Sequence, residues 1–131
     1  MIPHTGFRLA DYRTDIQESL IDYNGHMTDA AYPVVFAAAN ELVFKEMDLS
    51  AEYRLRTGCT FYTVETHIYF HAEVLAGDQL RAETIVTEVT NKRIRMSTSL
   101  LRRDDVIAAR AEYVYVHVNQ SIGRVVPFCS L

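Results

Sequence analysis

Read by its apolar and polar positions, the chain shows one long helical stretch followed by four stretches of period two. Residues 12–17 alternate loosely, enough for a first short strand. Residues 18–27 break the pattern, with Asn24-Gly25 as their sharpest turn signal. From Ala30 nearly every position is apolar: Ala31, Val34, Val35, Phe36, Ala37, Ala38, Ala39, Leu42, Val43 and Phe44. Thr28 or Asp29 is placed to cap this helix, because a short side-chain oxygen can accept an N–H of the first turn. Pro33 falls in that first turn, where a missing N–H costs little. The spacing predicts a helix ending near Met47. So apolar a helix calls for protein around most of it.

Residues 48–58 are polar and read as a connection. Over residues 60–71 the period becomes two, with Tyr62, Val64, Ile68 and Phe70 on one face and Thr63, Glu65, His67, Tyr69 and His71 on the other. Ala76-Gly77-Asp78 turns the chain into residues 79–89, rich in β-branched side chains, and Thr90-Asn91 turns it again. Residues 92–103 alternate Ile94, Met96, Thr98 and Leu100 against Arg93, Arg95, Ser97 and Ser99. Arg103-Asp104-Asp105 leads into a last strand over residues 106–118. Short hairpin connections imply antiparallel neighbours. One short strand, a buried helix and four hairpin-linked strands predict an α+β fold in which a curved five-stranded antiparallel sheet wraps one long central helix, the hot-dog architecture.

At 131 residues the chain has room for one domain, residues 1–131, and one substantial core. With 13 basic against 17 acidic residues the net charge is −4, which argues against a nucleic-acid footprint. No apolar run approaches the ~20 residues that span a bilayer, so no membrane partner is expected. The first nine residues lack the apolar core of a secretory signal. Cys59 and Cys129 form no disulfide framework or metal spacing, and two isolated thiols fit a cytoplasmic protein. His67 and His71 share a strand face but stand ~13 Å apart at ~3.3 Å per residue, so no metal site is expected. Tyr113, Tyr115 and His117 alternate in the last strand and read as packing. Ser121-Ile122-Gly123 follows the last strand and precedes no helix, so it is no nucleophile elbow.

The informative segment is Asp22-Tyr23-Asn24-Gly25-His26-Met27-Thr28, followed by Tyr32, on the loop that feeds the helix. It resembles the hot-dog acyl-CoA thioesterases of the 4-hydroxybenzoyl-CoA thioesterase-like family, whose pattern Asp-x-x-Gly-His-x-Asn-x-x-x-Tyr is matched by Asp22, Gly25, His26 and Tyr32. Thr28 stands where that family has Asn. The order of elements and the Ala-Gly-Asp turn extend the likeness over nearly the whole chain. A closer likeness is to the betainyl-CoA thioesterases of carnitine breakdown, including forms fused to L-carnitine dehydrogenase. It rests on Glu18-Ser19-Leu20-Ile21-Asp22-Tyr23-Asn24-Gly25-His26-Met27, on Tyr62-Thr63-Val64-Glu65-Thr66-His67-Ile68 and on His117-Val118.

The resemblance implies hydrolysis of a small acyl-CoA, betainyl-CoA foremost, with no cofactor beyond the coenzyme A of the substrate itself. It puts the catalytic carboxylate on Asp22, as nucleophile or as base toward water. An Asp here can equally serve only its own turn, accepting backbone N–H bonds, in which case Asn24 or Glu65 would lead. Gly25 suits a positive φ, and His26 either packs to secure the loop or makes a hydrogen bond that orients the loop or polarises the carbonyl. Amides around Asp29 at the helix start are the expected oxyanion donors. Tyr23 and Tyr32 beside the motif loop, and Phe61, Tyr62 and Tyr69 on the strand bearing Glu65, offer rings to a quaternary ammonium, and Glu65 a carboxylate, unless Glu65 pairs with an arginine such as Arg95. Lys92, Arg93 and Arg95 suit the phosphates of coenzyme A, or form an ordinary solvated face. The resemblance also implies a homodimer or tetramer with sites between subunits, and the residue 60–71 strand is the candidate for pairing with its copy. The other readings are a dehydratase, whose His-bearing motif is not visible, a non-catalytic acyl-CoA-binding or regulatory module, and a thioesterase for a neutral short-chain or aromatic acyl group.

Overall fold

The computed structural model describes residues 4–128; Cys129 lies outside them. Strand β1 (Arg8–Asp15) is followed by a single 3-10 turn (Glu18–Leu20), helix α1 (Ala31–Glu46) and helix α2 (Ala51–Thr57). Then come strands β2 (Cys59–Phe70), β3 (Gln79–Val89), β4 (Arg93–Leu101) and β5 (Ile107–Asn119), and a two-residue strand β6 (Arg124–Val125). The main strands lie in the order β1-β3-β4-β5-β2, all antiparallel, with β6 added beside β5. This is the hot-dog fold, with one strand beyond the expected five. β6 is too short to leave a period in the sequence, and forms where the chain folds back after Asn119.

The core sits between α1 and the inner face of the sheet. Phe36, Ala39 and Val43 from α1 and Met47 just after it meet Leu80, Val86, Ile94, Met96 and Leu100 from β3 and β4, all nearly inaccessible. The alternation expected for β4 is the one observed: Ile94, Met96, Thr98 and Leu100 face in. One polar chain crosses this core. Asn40 donates from Nδ2 to the Tyr115 hydroxyl at 2.8 Å, Thr98 donates to Asn40 Oδ1 at 2.8 Å, and the Thr84 and Thr98 hydroxyls lie 2.9 Å apart. His117, also buried, is 2.9 Å from the Val126 carbonyl through Nδ1 and 2.7 Å from the Tyr53 hydroxyl through Nε2. It ties α2 and the C-terminal segment to β5, the packing role its strand pattern suggested.

Four expectations need correction. The first strand runs Arg8–Asp15 rather than 12–17, because it pairs with β3 through an irregularity between Leu9 and Tyr12 that blurs its alternation. The polar connection holds α2, whose single buried aromatic, Tyr53, is too little to mark a helical stripe. α1 starts two or three residues later than either proposed cap, and no side chain caps it; the Thr28 and Asp29 carbonyls instead accept N–H bonds from Ala31 and Tyr32. Nor is α1 wrapped on most sides: the sheet covers one flank, leaving Val34 62% exposed and Ala37 and Glu41 open beside it.

The faces of β2 also differ from strict alternation. Thr63 pairs with Tyr115 but Glu65 pairs with Val114, so Val64 is an extra residue, a β-bulge. A one-residue insertion exchanges the two faces beyond it. Phe61, Thr63, Thr66, Ile68 and Phe70 therefore share the helix side, and Tyr62 joins Glu65, His67 and Tyr69 outside. β2 is an edge strand, and Tyr62, Val64, Tyr69 and Phe70 are exposed along it.

Candidate active site

The loop between the 3-10 turn and α1 folds into a tight hook. Asp22 donates its N–H to the His26 carbonyl at 2.8 Å, Gly25 donates to the Asp22 carbonyl at 3.0 Å, and Gly25 takes φ +80°. A β-carbon on Gly25 would meet nothing within 4 Å, so the backbone angle, not crowding, is what calls for glycine. The Ile21–Met27 bridge closes the hook, and the His26–Leu75 bridge and the Met27 N–H, which donates to the Val74 carbonyl at 2.7 Å, clamp it against the segment after β2.

Asp22 Oδ1 accepts the N–H of Asn24 at 2.9 Å and of His26 at 3.3 Å. The carboxylate does serve its own turn, but through one oxygen. Among the described residues Oδ2 has no hydrogen-bond partner, and Asp22 lines an open cavity of about 440 Å³ together with His26, Asp29, Tyr32, Phe70 and Glu73. Asp29 lines the cavity, and its amide and that of the next residue, Ala30, make no hydrogen bond among the described residues, while the next two amides are already turned into the helix. Two free N–H groups at a helix start suit a developing negative charge. The Tyr32 ring packs edge-on against Phe70 at 4.9 Å. Burial, and then the charge of Glu73, raises the Tyr32 hydroxyl above its ordinary pKa, so it stays a neutral donor.

The fold thus gathers Asp22, His26, Asp29 and Tyr32 in one cavity, with the Asn24 amide and the Gly25 turn supporting it. Phe70, His71 and Glu73 join them without a sequence signal, since only the return of the chain after β2 brings them near. The remaining candidates lie elsewhere. Tyr23 points to solvent, 98% exposed, because the hook turns its side chain away from the cavity. Tyr69 is on the outer face with the Arg110 guanidinium 5.2 Å over its ring. Glu65 pairs with His67 at 2.6 Å, not with Arg95, which donates to Glu88 at 3.2 Å. Arg93 and Arg95 lie on the same outer face, across β5 from Tyr62 and Glu65. Among the described residues Lys92 and Arg93 have no ion-pair partner.

The His67 hydrogen bond, with Arg95 and Arg93 nearby, holds the Glu65 carboxyl below its ordinary value. A depressed folded-state pKa means that any stability from this pair is present above the unfolded carboxyl's pKa and lost as pH falls through the folded one. With both side chains about half exposed, 53% and 51%, the contribution is small. An NMR titration is expected to find Glu65 titrating below an ordinary glutamate and to move it upward in His67→Ala; an unmoved midpoint would remove the pairing.

A family model described as the thioesterase-like superfamily matches residues 16–130. The L-carnitine dehydrogenase/betainyl-CoA thioesterase of Agrobacterium fabrum is 37% identical over 122 residues, covering 89% of this chain and 25% of that protein. The betainyl-CoA thioesterase of Pseudomonas aeruginosa is 30% identical over 121 residues, covering 92% of this chain and 76% of that one. The chain therefore spans a quarter of the Agrobacterium relative and most of the Pseudomonas relative. Among solved structures, a hypothetical Staphylococcus aureus protein in complex with CoA superposes with a TM-score of 0.89 at 22% identity, over 98% of this chain and 81% of that one, a likeness of fold.

Proposed function

Because the chain belongs to the thioesterase-like superfamily, we propose that it hydrolyses a small acyl-CoA, betainyl-CoA, to the free acid and coenzyme A. The observation that carries this reading is the Asp22 carboxylate, half bound by its own turn and half free, in one cavity with Asp29 at the start of α1. The fixed Oδ1 orients the group, and Oδ2 is available to take a proton from water or to attack the thioester carbon. The carbonyl oxygen, gaining charge as the carbon becomes tetrahedral, is received by the Asp29 and Ala30 amides. Collapse of that intermediate breaks the C–S bond, and the sulfur leaves as thiolate. Where Asp22 has activated water, the free acid forms directly and the proton held by Asp22 passes to the sulfur. Where Asp22 has attacked, an acyl anhydride remains on it, which water hydrolyses to the free acid and the Asp22 carboxylate while the thiolate takes up a proton. Lys92 and Arg93, without an ion-pair partner among the described residues, suit the coenzyme A phosphates. The names of relatives at 30–37% identity support the betainyl group.

Thiol release from a panel of acyl-CoAs, betainyl-, isovaleryl- and benzoyl-CoA among them, tests the reading. Betainyl-CoA is expected to be cleaved well ahead of isovaleryl-CoA. Equal rates would remove the betainyl assignment, and measurable binding with no thiol release from any member would make the chain an acyl-CoA-binding module instead.

We further propose that the working form is at least a dimer, joined through β2. An edge strand of 12 residues with open backbone groups and exposed apolar side chains is a template for a second copy. Light scattering at micromolar concentration is expected to give a mass of at least twice 15.0 kDa; the mass of a single chain would overturn the proposal.

A further inference from the structure

A second cavity, of about 360 Å³, opens between α1, α2 and the other end of β2. Resting on the thioesterase reading, we propose that this cavity is the receptor for a quaternary ammonium on the acyl group, with Glu41 as its carboxylate, and that it serves the Asp22 loop of the partner copy.

The lining fits such a cation. Ala37, Glu41 and Phe44 form one stripe of α1, at i, i+4 and i+7, and all three line the cavity. The small Ala37 leaves room beside Glu41. Opposite stand Phe61, Tyr113 and Tyr115, in an unbroken aromatic wall: Phe44 stacks on Phe61 at 5.0 Å and meets Tyr115 edge-on at 4.8 Å, and Tyr113 stacks on Tyr115 at 5.7 Å. Asn40 holds the Tyr115 hydroxyl and so fixes that ring. Burial raises the Tyr115 pKa against the opposing pull of the Asn40 hydrogen bond, with the charges of Tyr113 and Glu41 adding to the rise, and so keeps the phenol neutral. Ring faces and a carboxylate are what a cation without N–H groups requires. Arg54 lines the cavity from α2, but among the described residues it makes no ion pair with Glu41, so that carboxylate is left for another cation.

The cavity cannot serve the Asp22 of its own chain. Tyr32 touches Phe70 and Phe44 touches Phe61, so α1 runs antiparallel along β2, with the two cavities at opposite ends. Tyr32 and Phe44 are twelve helical positions apart, about 18 Å at ~1.5 Å per residue. A betainyl group reaches only roughly 5 Å beyond its carbonyl carbon, at ~1.5 Å per bond. A two-fold axis through the middle of β2, near Thr66, removes the discrepancy. It sets Phe70 of one copy beside the Phe61–Thr63 end of the other, and brings the start of one α1 to the Glu41 end of its partner. The open flank of α1 faces this junction. Each dimer then holds two composite sites, the carboxylate from one copy and the cation receptor from the other.

The substrate pair that isolates the charge is betainyl-CoA and its neutral isostere, 3,3-dimethylbutanoyl-CoA. In Glu41→Gln the ratio of their kcat/KM values is expected to fall by at least ~10-fold, the scale of losing one partner of a desolvated charge pair. An unchanged ratio, with betainyl-CoA still cleaved by Asp22, overturns the receptor and leaves the thioesterase reading standing; no thiol from either ester with the wild type removes both. Mixed dimers purified through two tags, one copy Asp22→Asn and the other Glu41→Gln, test the crossing. One of their two sites has both residues intact, so about half the wild-type betainyl rate is expected. A mixed dimer no faster than half the Glu41→Gln homodimer would place both residues in one chain's site and overturn the crossing.

Discussion

Asp22→Asn is expected to lower turnover by at least ~100-fold, the lower end of the range for losing a positioned acid or base. The variant keeps the shape of the carboxylate, and its side-chain oxygen can still accept the Asn24 and His26 amides, so the hook survives. What it loses is the free Oδ2, which becomes an amide nitrogen unable to take a proton or attack carbon. Asp22→Ala removes the hook's hydrogen bonds as well, and is expected to lose as much turnover with a modest loss of stability, about 1 kcal/mol. Circular dichroism and a thermal melt establish that both fold. If Asp22→Asn keeps more than half the wild-type rate, Asp22 is only the acceptor of its own turn, and another group carries the reaction.

The second large effect is expected in the core. Asn40 is the one polar side chain of α1 that is fully buried, and it joins the helix to β4 and β5 through Thr98 and Tyr115. Asn40→Ala leaves the Tyr115 hydroxyl and the Thr98 hydroxyl each short of a partner, at about 1–3 kcal/mol for each orphaned group. The expected loss is about 3 kcal/mol by urea unfolding, measured at one protein concentration because a dimer's stability depends on it. Tyr115→Phe leaves only the Asn40 amide to re-pair and is expected to cost less. A loss under about 1 kcal/mol for Asn40→Ala would mean that water or a neighbouring group satisfies the chain.

These two residues illustrate what could be read in the sequence and what could not. Asp22 stood out because its loop carries a spaced motif, and because Asn24-Gly25 marks a turn whose geometry the observed φ of Gly25 matches. β3 and β4 stood out because alternating burial leaves a direct period-two trace. Asn40 gave no sign, since one amide in an apolar run looks like the end of the run until its partners, 58 and 75 residues away, are seen. The faces of β2 before Val64, where Tyr62 lies outside and Thr63 inside, were misassigned for a different reason. A bulge adds one residue without changing composition, and only pairing with β5 reveals it. Glu73 and Glu41 were missed because neither lies in a motif; each matters through the cavity it borders. Local period and turn chemistry were legible, whereas properties that depend on which distant strand lies alongside were not.

The same division explains the rings expected around a cation. Tyr23 and Tyr69 were near the motif loop in sequence or on a promising strand, but one points to solvent and the other lies under Arg110. The contiguous aromatic wall is built by Phe44, Phe61, Tyr113 and Tyr115, which come from three separate elements. The alternation of Tyr113 and Tyr115 in β5 did signal packing, and that packing is what presents the two rings to the cavity.

The most direct measurement of the account is a crystal structure of the protein with a non-hydrolysable thioether in which a methylene replaces the thioester carbonyl of betainyl-CoA. That methylene is expected about 3.5 Å from Asp22 Oδ2, the separation of a near-attack arrangement, beside the Asp29 and Ala30 amides. The trimethylammonium is expected between Glu41 and the aromatic wall of the partner copy. A thioether bound with that methylene on the outer face of the sheet, away from the Asp22 cavity, would contradict the assignment of the active site.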